Sequence, residues 1–88
     1  MLDWDAANVA HVARHGLTPD MVEAALSDPY ALERSAGMVG DEERFALIGA
    51  ADSRRILTVI YTWRSDRIRV VTAYHASSLE RRLYRGRR

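Results

Sequence analysis

The feature that most constrains the fold is a pair of strand-forming segments joined by a very short turn. Residues 56–63 are rich in β-branched and aromatic side chains, which favours a strand. Ser65-Asp66 can close a tight hairpin from this strand into a second one over residues 67–75. The sequence therefore predicts an antiparallel hairpin, whose apolar face should pack on helices.

Two helices are predicted before the hairpin. Asp5 is a suitable N-cap for a helix over residues 6–15, and Gly16 suits the position after its end. Thr18-Pro19 places an N-cap and an N1 proline at the start of a second helix, which Asp28-Pro29 ends.

A third helix is predicted after the hairpin. Ser77 to Glu80 form a capping box, so the helix should begin at Ser77. Leu79 and Leu83 are spaced to face the core, while Arg81, Arg82 and Arg85 lie elsewhere on its surface. These three arginines are candidates for contacting an RNA backbone, and an acidic partner would fit them equally well.

Further strands are predicted at residues 1–4, 30–34 and 44–50. The order is then β-α-α-β-β-β-β-α, an α+β fold with a small antiparallel sheet of four to five strands and its helices to one side. The length of 88 residues suits one domain over residues 1–88.

Charge is distributed unevenly along the chain. The net charge is only +1, but residues 1–43 carry nine acids against two arginines, and residues 44–88 carry three acids against eleven. This asymmetry indicates a basic surface that attracts phosphates. There is no cysteine and no signal-like start, so we expect a cytoplasmic protein without disulfides, thiolate metal sites or a membrane segment.

A two-residue turn fixes which hairpin residues share a face. Arg64 is then opposite Arg67, Thr62 opposite Arg69, and Ile56 opposite His75. The arginines would share one face with His75 at its far end, while the helices cover the other face, with Leu57, Val59, Tyr61 and Trp63 against Ile68, Val70, Thr72 and Tyr74. Arg64 and Arg69 are candidates for holding a phosphate and its developing charge, unless the arginines are only a solvated hairpin tip.

Other side chains could move protons in RNA cleavage. His75 is the candidate acid or base, and Glu43 is a candidate base if it lies beside the arginines. His11 is expected to be a surface or half-buried residue without chemistry. No histidine pair has the spacing of metal ligands, so we expect no metal and no other cofactor.

The order of several short motifs resembles the BrnT family, the toxin half of a bacterial type II toxin–antitoxin pair, from about residue 2 to 85. The motifs are Trp4-Asp5, Arg14-His15-Gly16, Asp28-Pro29, Glu42-Glu43-Arg44, Tyr61-Thr62-Trp63-Arg64, Arg67-Ile68-Arg69 and Glu80-Arg81-Arg82-Leu83-Tyr84. The resemblance implies a RelE-like fold and a metal-independent endoribonuclease, a hydrolase that inhibits translation. It also implies a small antitoxin, of the ribbon-helix-helix type, which wraps the toxin and links it to DNA.

The sequence departs from the family late in the fifth predicted strand. The family's arginine, thought to help cleavage, is Tyr74 here, and the following lysine is His75. Tyrosine and histidine could supply acid–base chemistry instead, as in other toxins of this fold class. In a regular hairpin Tyr74 would face the helices, so only a bulge would bring it to the arginine side. The alternative is a catalytically weakened binding protein that serves as antitoxin partner and operon co-repressor.

Overall fold

Over residues 1–87 the fold, taken from a computed structural model, comprises three helices and four strands in the order α-α-β-β-β-β-α. The structure describes residues 1–87, so residue 88 of the predicted domain lies outside the described residues. The elements are α1 (Ala6–Ala13), α2 (Pro19–Leu26), β1 (Leu32–Val39), β2 (Glu42–Ala50), β3 (Ile56–Arg64), β4 (Arg67–His75) and α3 (Ser78–Arg87). Within this part of the chain, no helix is long and apolar enough to span a membrane.

The predicted caps begin all three helices. The Asp5 side chain accepts hydrogen bonds from the backbone N–H groups of Ala7 and Asn8, and Thr18 accepts one from Met21 ahead of Pro19. The box at α3 is reciprocal, with the Glu80 N–H donating to Ser77 Oγ and the Ser77 N–H donating to Glu80 Oε1.

The four strands form one antiparallel sheet in the order β1-β2-β3-β4. The predicted leading strand is wrong, because Leu2 makes only an isolated parallel bridge to Ile68. The backbone of Met1 and Asp3 bonds to that one residue of β4, at 2.8 and 2.9 Å. The chain then leaves the sheet to cap α1 at Asp5, so the segment is too short to extend a ladder.

A bulge in β4 changes the register of the hairpin. The pairs Arg64–Arg67 and Thr62–Arg69 form as predicted, but the register shifts between Ile60 and Tyr61 and leaves Val71 as the extra residue. Beyond it, His75 pairs with Leu57 instead of Ile56. The face predictions for this half of β4 are therefore wrong: Thr72 and Tyr74 pair with Ile60 and Thr58, on the arginine side.

The helices cover both faces of the sheet, so the prediction that they lie to one side is also wrong. α1 and α2 pack on one face with Val12, Val22, Ala25, Leu57, Val59, Val70 and Ala73. Gly49 allows this packing, because a Cβ atom there would lie 2.3 Å from the Ala25 carbonyl oxygen. α3 packs on the opposite face through Tyr84, against Ile48 and Ile56.

Two side-chain predictions fail with this arrangement. α3 turns Tyr84 inward, and the leucines expected in the core, Leu79 and Leu83, are exposed. Trp63 is also largely exposed, because it lies at the hairpin end of the sheet beyond the helix pair.

Candidate functional site

Three adjacent strands bring arginines together on one side of the sheet. Arg44 pairs with Thr62, and Thr62 pairs with Arg69, so these residues form a row across β2, β3 and β4. Arg64 and Arg67 form the next pair on the same side, toward the hairpin turn. We call this side the arginine face, which comprises Arg44, Thr62, Arg64, Arg67 and Arg69.

An open groove of about 220 Å³ lies between α1 and the arginine face. Its polar side chains include three guanidinium groups and one imidazole. The groove is lined by Ala7, Asn8, His11, Arg44, Arg64, Arg69, Val70 and Val71. A surface this rich in fixed cations is suited to an anionic ligand.

The bulge in β4 positions the groove's imidazole. His11 Nδ1 lies 2.9 Å from the carbonyl oxygen of Val71, the bulged residue. Because a carbonyl oxygen only accepts, this contact assigns the hydrogen to Nδ1. The neutral ring therefore keeps a lone pair on Nε2, which can accept a proton.

Asn8 fastens the same helix to the bulge. Its side chain is buried, and Nδ2 donates to the carbonyl oxygens of Asp3 and Val70, at 2.8 and 3.2 Å. Its Oδ1 accepts from the Asp5 N–H at 2.7 Å. Asn8 thus fixes the N-terminal segment, α1 and β4 relative to one another, which keeps His11 beside the arginines.

Arg69 is held by two carboxylates of the N-terminal segment. One terminal nitrogen lies 2.9 Å from Asp5 Oδ2 and the other 3.7 Å from Asp3 Oδ2, and its side chain is only 17% exposed. The Asn8 backbone N–H and the Arg69 guanidinium outweigh desolvation and hold the pKa of Asp5 below its ordinary value. These contacts fix the direction of Arg69 and offset part of its charge.

Arg44 and Arg64 share one carboxylate. Glu42 lies 3.7 Å from an Arg44 terminal nitrogen and 3.5 Å from Arg64 Nε. Both distances are long for charge-assisted hydrogen bonds, so these pairs are weak. Within the described residues, the buried Nε of Arg44 has no hydrogen-bond acceptor. Because both ion pairs are weak, the guanidinium groups of Arg44 and Arg64 keep donors for a ligand in the groove.

A family comparison identifies the kind of protein that carries this groove. The family model described as "Ribonuclease toxin, BrnT, of type II toxin-antitoxin system" matches residues 4–80. The chain belongs to the BrnT family. Membership of this toxin family implies a cognate antitoxin as partner. No curated protein matches the chain.

The motifs of this BrnT member lie at points where separate elements of the fold meet. Trp4 and Asp5 begin the matched region and enter α1, while Glu80 ends it in the first turn of α3. Asp28 connects separate elements, since Oδ2 accepts from the Ala50 N–H at 2.8 Å and from the Tyr84 hydroxyl at 2.5 Å. The Asp28-Pro29 motif therefore fastens the end of α2 to β2 and α3.

The structure brings two of the five predicted catalytic residues into the groove, Arg64 and Arg69. His75 is exposed and lies on the side that the helix pair covers, because it pairs with Leu57 after the bulge. Glu43 is also directed away from the arginine face, and it accepts a hydrogen bond from Ser35 at 2.8 Å. Glu43 was a candidate base only if it lay beside the arginines, and it does not lie there.

Tyr74 reaches the arginine side through the bulge but not the groove. Its hydroxyl donates to Glu80 Oε2 at 3.2 Å, beneath α3. Burial and the adjacent Glu80 carboxylate raise the pKa of Tyr74 above its ordinary value, so the phenol stays protonated at neutral pH. Burial opposes ionisation of Glu80, but bonds from the Ser77 N–H and the Tyr74 hydroxyl hold its pKa below the ordinary value.

The four predicted RNA-binding arginines lie outside the groove lining. Arg67 is exposed at the hairpin turn beside Arg64. Arg81 turns back to donate to the Ala76 carbonyl oxygen at 2.8 Å. Arg82 and Arg85 are exposed on α3, so this cluster forms a surface of its own.

The sequence interpretation missed His11, Arg44 and Glu42. His11 follows Asn8 by three residues, a spacing that places both on one side of a helix. Arg44 and Glu42 share a strand face, and the short turn after residue 50 pairs that strand with residues 56–62. This alternation could have indicated Arg44, but only the bulge explains how His11 meets β4.

Proposed function

We propose that this chain is an endoribonuclease toxin that cleaves RNA in the groove between α1 and the arginine face. The observation that carries the proposal is one open groove that holds three guanidinium groups and an imidazole with a free Nε2. Family membership supplies the class of activity, and the groove supplies groups suited to a phosphodiester.

The groups in the groove suit cleavage by the ribose 2′-hydroxyl. His11 Nε2 takes the proton of that hydroxyl as its oxygen attacks the adjacent phosphorus. Arg44, Arg64 and Arg69 surround the phosphate and stabilise the negative charge that develops on its oxygens. The bond to the 5′-oxygen breaks, and that oxygen takes a proton from solvent. The products are a 2′,3′-cyclic phosphate and a 5′-hydroxyl.

The cations of the groove support a mechanism that needs no metal ion. Guanidinium groups provide the charge stabilisation that a divalent ion supplies in other nucleases. Three of them around one site would also repel such an ion. Arg67, beside Arg64 at the hairpin turn, extends the positive surface along which an RNA backbone can approach.

The proposal is tested with purified chain and an end-labelled RNA in the presence of EDTA. Cleavage should persist with the chelator, and a single 2′-deoxy substitution at the cut site should block it. Arg44→Ala and Arg64→Ala should each lower the single-turnover rate by about 10²-fold. Arg54→Ala removes an exposed arginine after β2 and is the matched control. Loss of activity in EDTA, or full activity of Arg64→Ala, would contradict the proposal.

The proposal extends to the cellular role. Cleavage of RNA would inhibit translation, and it requires a cytoplasmic enzyme. We take the fold as RelE-like, as the family resemblance implies. The antitoxin is proposed to be a ribbon-helix-helix protein that represses the shared operon, so the chain would reach DNA only through that complex.

One observation favours a second function. Arg69 is already paired with Asp3 and Asp5, which reduces the charge available to a phosphate. A chain weakened in this way could serve as an antitoxin partner and co-repressor. Expression of the chain alone distinguishes the two functions: a toxin arrests growth and the antitoxin restores it, whereas a co-repressor does neither.

A further inference from the structure

The outward side of α3 carries an apolar strip that the fold leaves uncovered. Leu79 and Leu83 lie one helical turn apart and are 59% and 40% exposed. The inward side of the same helix is occupied by Tyr84, which is buried, and by Glu80, which bonds to Tyr74. Two leucines at i and i+4 on an exposed helix side are typical anchors for another helix.

This strip lies within a positive surface. Arg82 is exposed on the turn between the two leucines, and Arg85 follows. No ion pair with a carboxylate is found for either of them within the described residues. Gly86 comes one position after Arg85, and a Cβ atom there would meet nothing within 4 Å, so the backbone can be approached closely.

We propose that the α3 docking face, which comprises Leu79, Arg82, Leu83 and Gly86, binds an acidic amphipathic helix of the antitoxin. Leucines on the partner would cover Leu79 and Leu83, and its carboxylates would pair with Arg82 and Arg85. The charge of the face requires an acidic partner, and its leucines require an apolar one. The proposal does not depend on ribonuclease activity, because the docking face and the groove share no residue.

A protein helix fits this face better than RNA. RNA backbones are bound by cations, and unpaired bases stack on aromatic rings. The docking face has a cation but no aromatic side chain, and its exposed apolar groups are the two leucines. Arg81 is directed back to the Ala76 carbonyl oxygen, which further reduces the charge offered to a phosphate.

The test is calorimetric titration of the full chain with the antitoxin encoded beside it. The double variant Leu79→Ser/Leu83→Ser should weaken binding by about 100-fold, since each buried anchor contributes about tenfold. Met38→Ser, at a site that is 60% exposed near the turn between β1 and β2, is the matched apolar control. Arg82→Glu should weaken binding by about tenfold, whereas Arg54→Glu should not.

The substituted residues are exposed, so these variants should fold like the wild type. Each should keep the wild-type circular dichroism spectrum and melting temperature within a few degrees. Unchanged affinity in both the leucine double variant and Arg82→Glu would overturn the proposal. The proposal would also be overturned if sedimentation showed that the leucines hold two copies of this chain together. It would fail equally if the leucine double variant lost RNA binding as much as it lost antitoxin binding.

Ribonuclease assays separate this inference from the proposed function. Leu79→Ser/Leu83→Ser should cleave RNA at the wild-type rate but escape inhibition at antitoxin concentrations that stop the wild type. If the wild type fails to cleave RNA and the variant still loses antitoxin affinity, the proposed function fails and the docking face stands. If the wild type cleaves RNA and the variant is inhibited equally, the docking face fails alone.

Discussion

His11 Nδ1 lies 2.9 Å from the carbonyl oxygen of Val71, the extra residue of the β4 bulge. The Val70 carbonyl oxygen accepts from Asn8 on the same helix, so two successive carbonyls of β4 bond to α1. The irregular ladder at the bulge is what makes both available. The bulge therefore joins α1 to the sheet and brings an imidazole beside three arginines.

The first prediction concerns the base. His11→Gln should lower the single-turnover rate of RNA cleavage by about 10²-fold or more, because glutamine cannot accept the proton of the 2′-hydroxyl. RNA binding, measured by fluorescence anisotropy, should change little. His15→Gln, one helical turn away, is the matched control. Cleavage that survives in His11→Gln but stops in His75→Gln would assign the base to the other end of β4.

The second prediction concerns the carboxylate that Arg44 and Arg64 share. Glu42→Gln should tighten RNA binding by about twofold to fivefold, because the two guanidinium groups lose their weak internal partner. The gain should shrink as salt is added. Asp41→Asn, an exposed neighbour, controls for the change in net charge. Weaker RNA binding by Glu42→Gln would show that Glu42 positions the arginines rather than competing for them.

The third prediction concerns stability in acid. The folded pKa of Asp5 is lowered by the Asn8 N–H and by Arg69, so its contribution to stability is complete above the unfolded value of about 3.9. It is lost as the pH falls through the lower folded value. Asp5→Asn retains a good N-cap but not the charge. Urea unfolding between pH 5 and 2 should therefore show a shallower loss of stability for Asp5→Asn than for wild type, and an equally steep loss for both would contradict the prediction.

The fourth prediction concerns the contact between α2 and the sheet. Gly49→Ala should lower the free energy of unfolding by about 2–3 kcal/mol, because the new Cβ would lie 2.3 Å from the Ala25 carbonyl oxygen. The clash involves helix backbone, which cannot rotate away. Gly86→Ala adds the same atom in open space and should not destabilise the fold. Equal melting temperatures for the two variants would mean that α2 moves freely on the sheet.

The fifth prediction concerns the hairpin turn. Ser65 has φ of 57°, in the left-handed region that favours glycine. Ser65→Gly should therefore raise the free energy of unfolding by up to about 1 kcal/mol. Asp66→Gly is the comparison. Asp66 does not have a positive φ, so glycine at this position should lower the free energy of unfolding. A lower melting temperature for Ser65→Gly would contradict the expected relief of strain.

Much of the local structure could be predicted because its causes lie within a few residues. The caps at Asp5 and Thr18 and the box at Ser77 depend on side chains that bond to backbone groups two or three positions away. The turn at Ser65-Asp66 likewise fixed the four cross-strand pairs between the turn and the bulge. The predicted arginine pairs are present for this reason.

The candidate site was only half predictable. Arg64 and Arg69 follow from the turn, but His11 reaches them through a bulge at Val71, five residues beyond Asp66, which no turn residue predicts. The same bulge displaced His75 from the arginine face and brought Tyr74 round to it. A register shift of one residue moves every later side chain of the strand to the other face of the sheet. A single bulge therefore changes which residues belong to the site.

The sequence by itself determined the three helices and their starts, the hairpin turn and the resemblance to BrnT toxins, because these depend on local bonding and on motif order. The tertiary structure decided that α3 packs on the same side of the sheet as the arginines, beyond the groove, that Leu79 and Leu83 face outward, and that Asp3 and Asp5 hold Arg69. Such contacts join residues far apart in the chain, and their stability depends on how whole elements pack together. The local pattern of the sequence does not predict that packing.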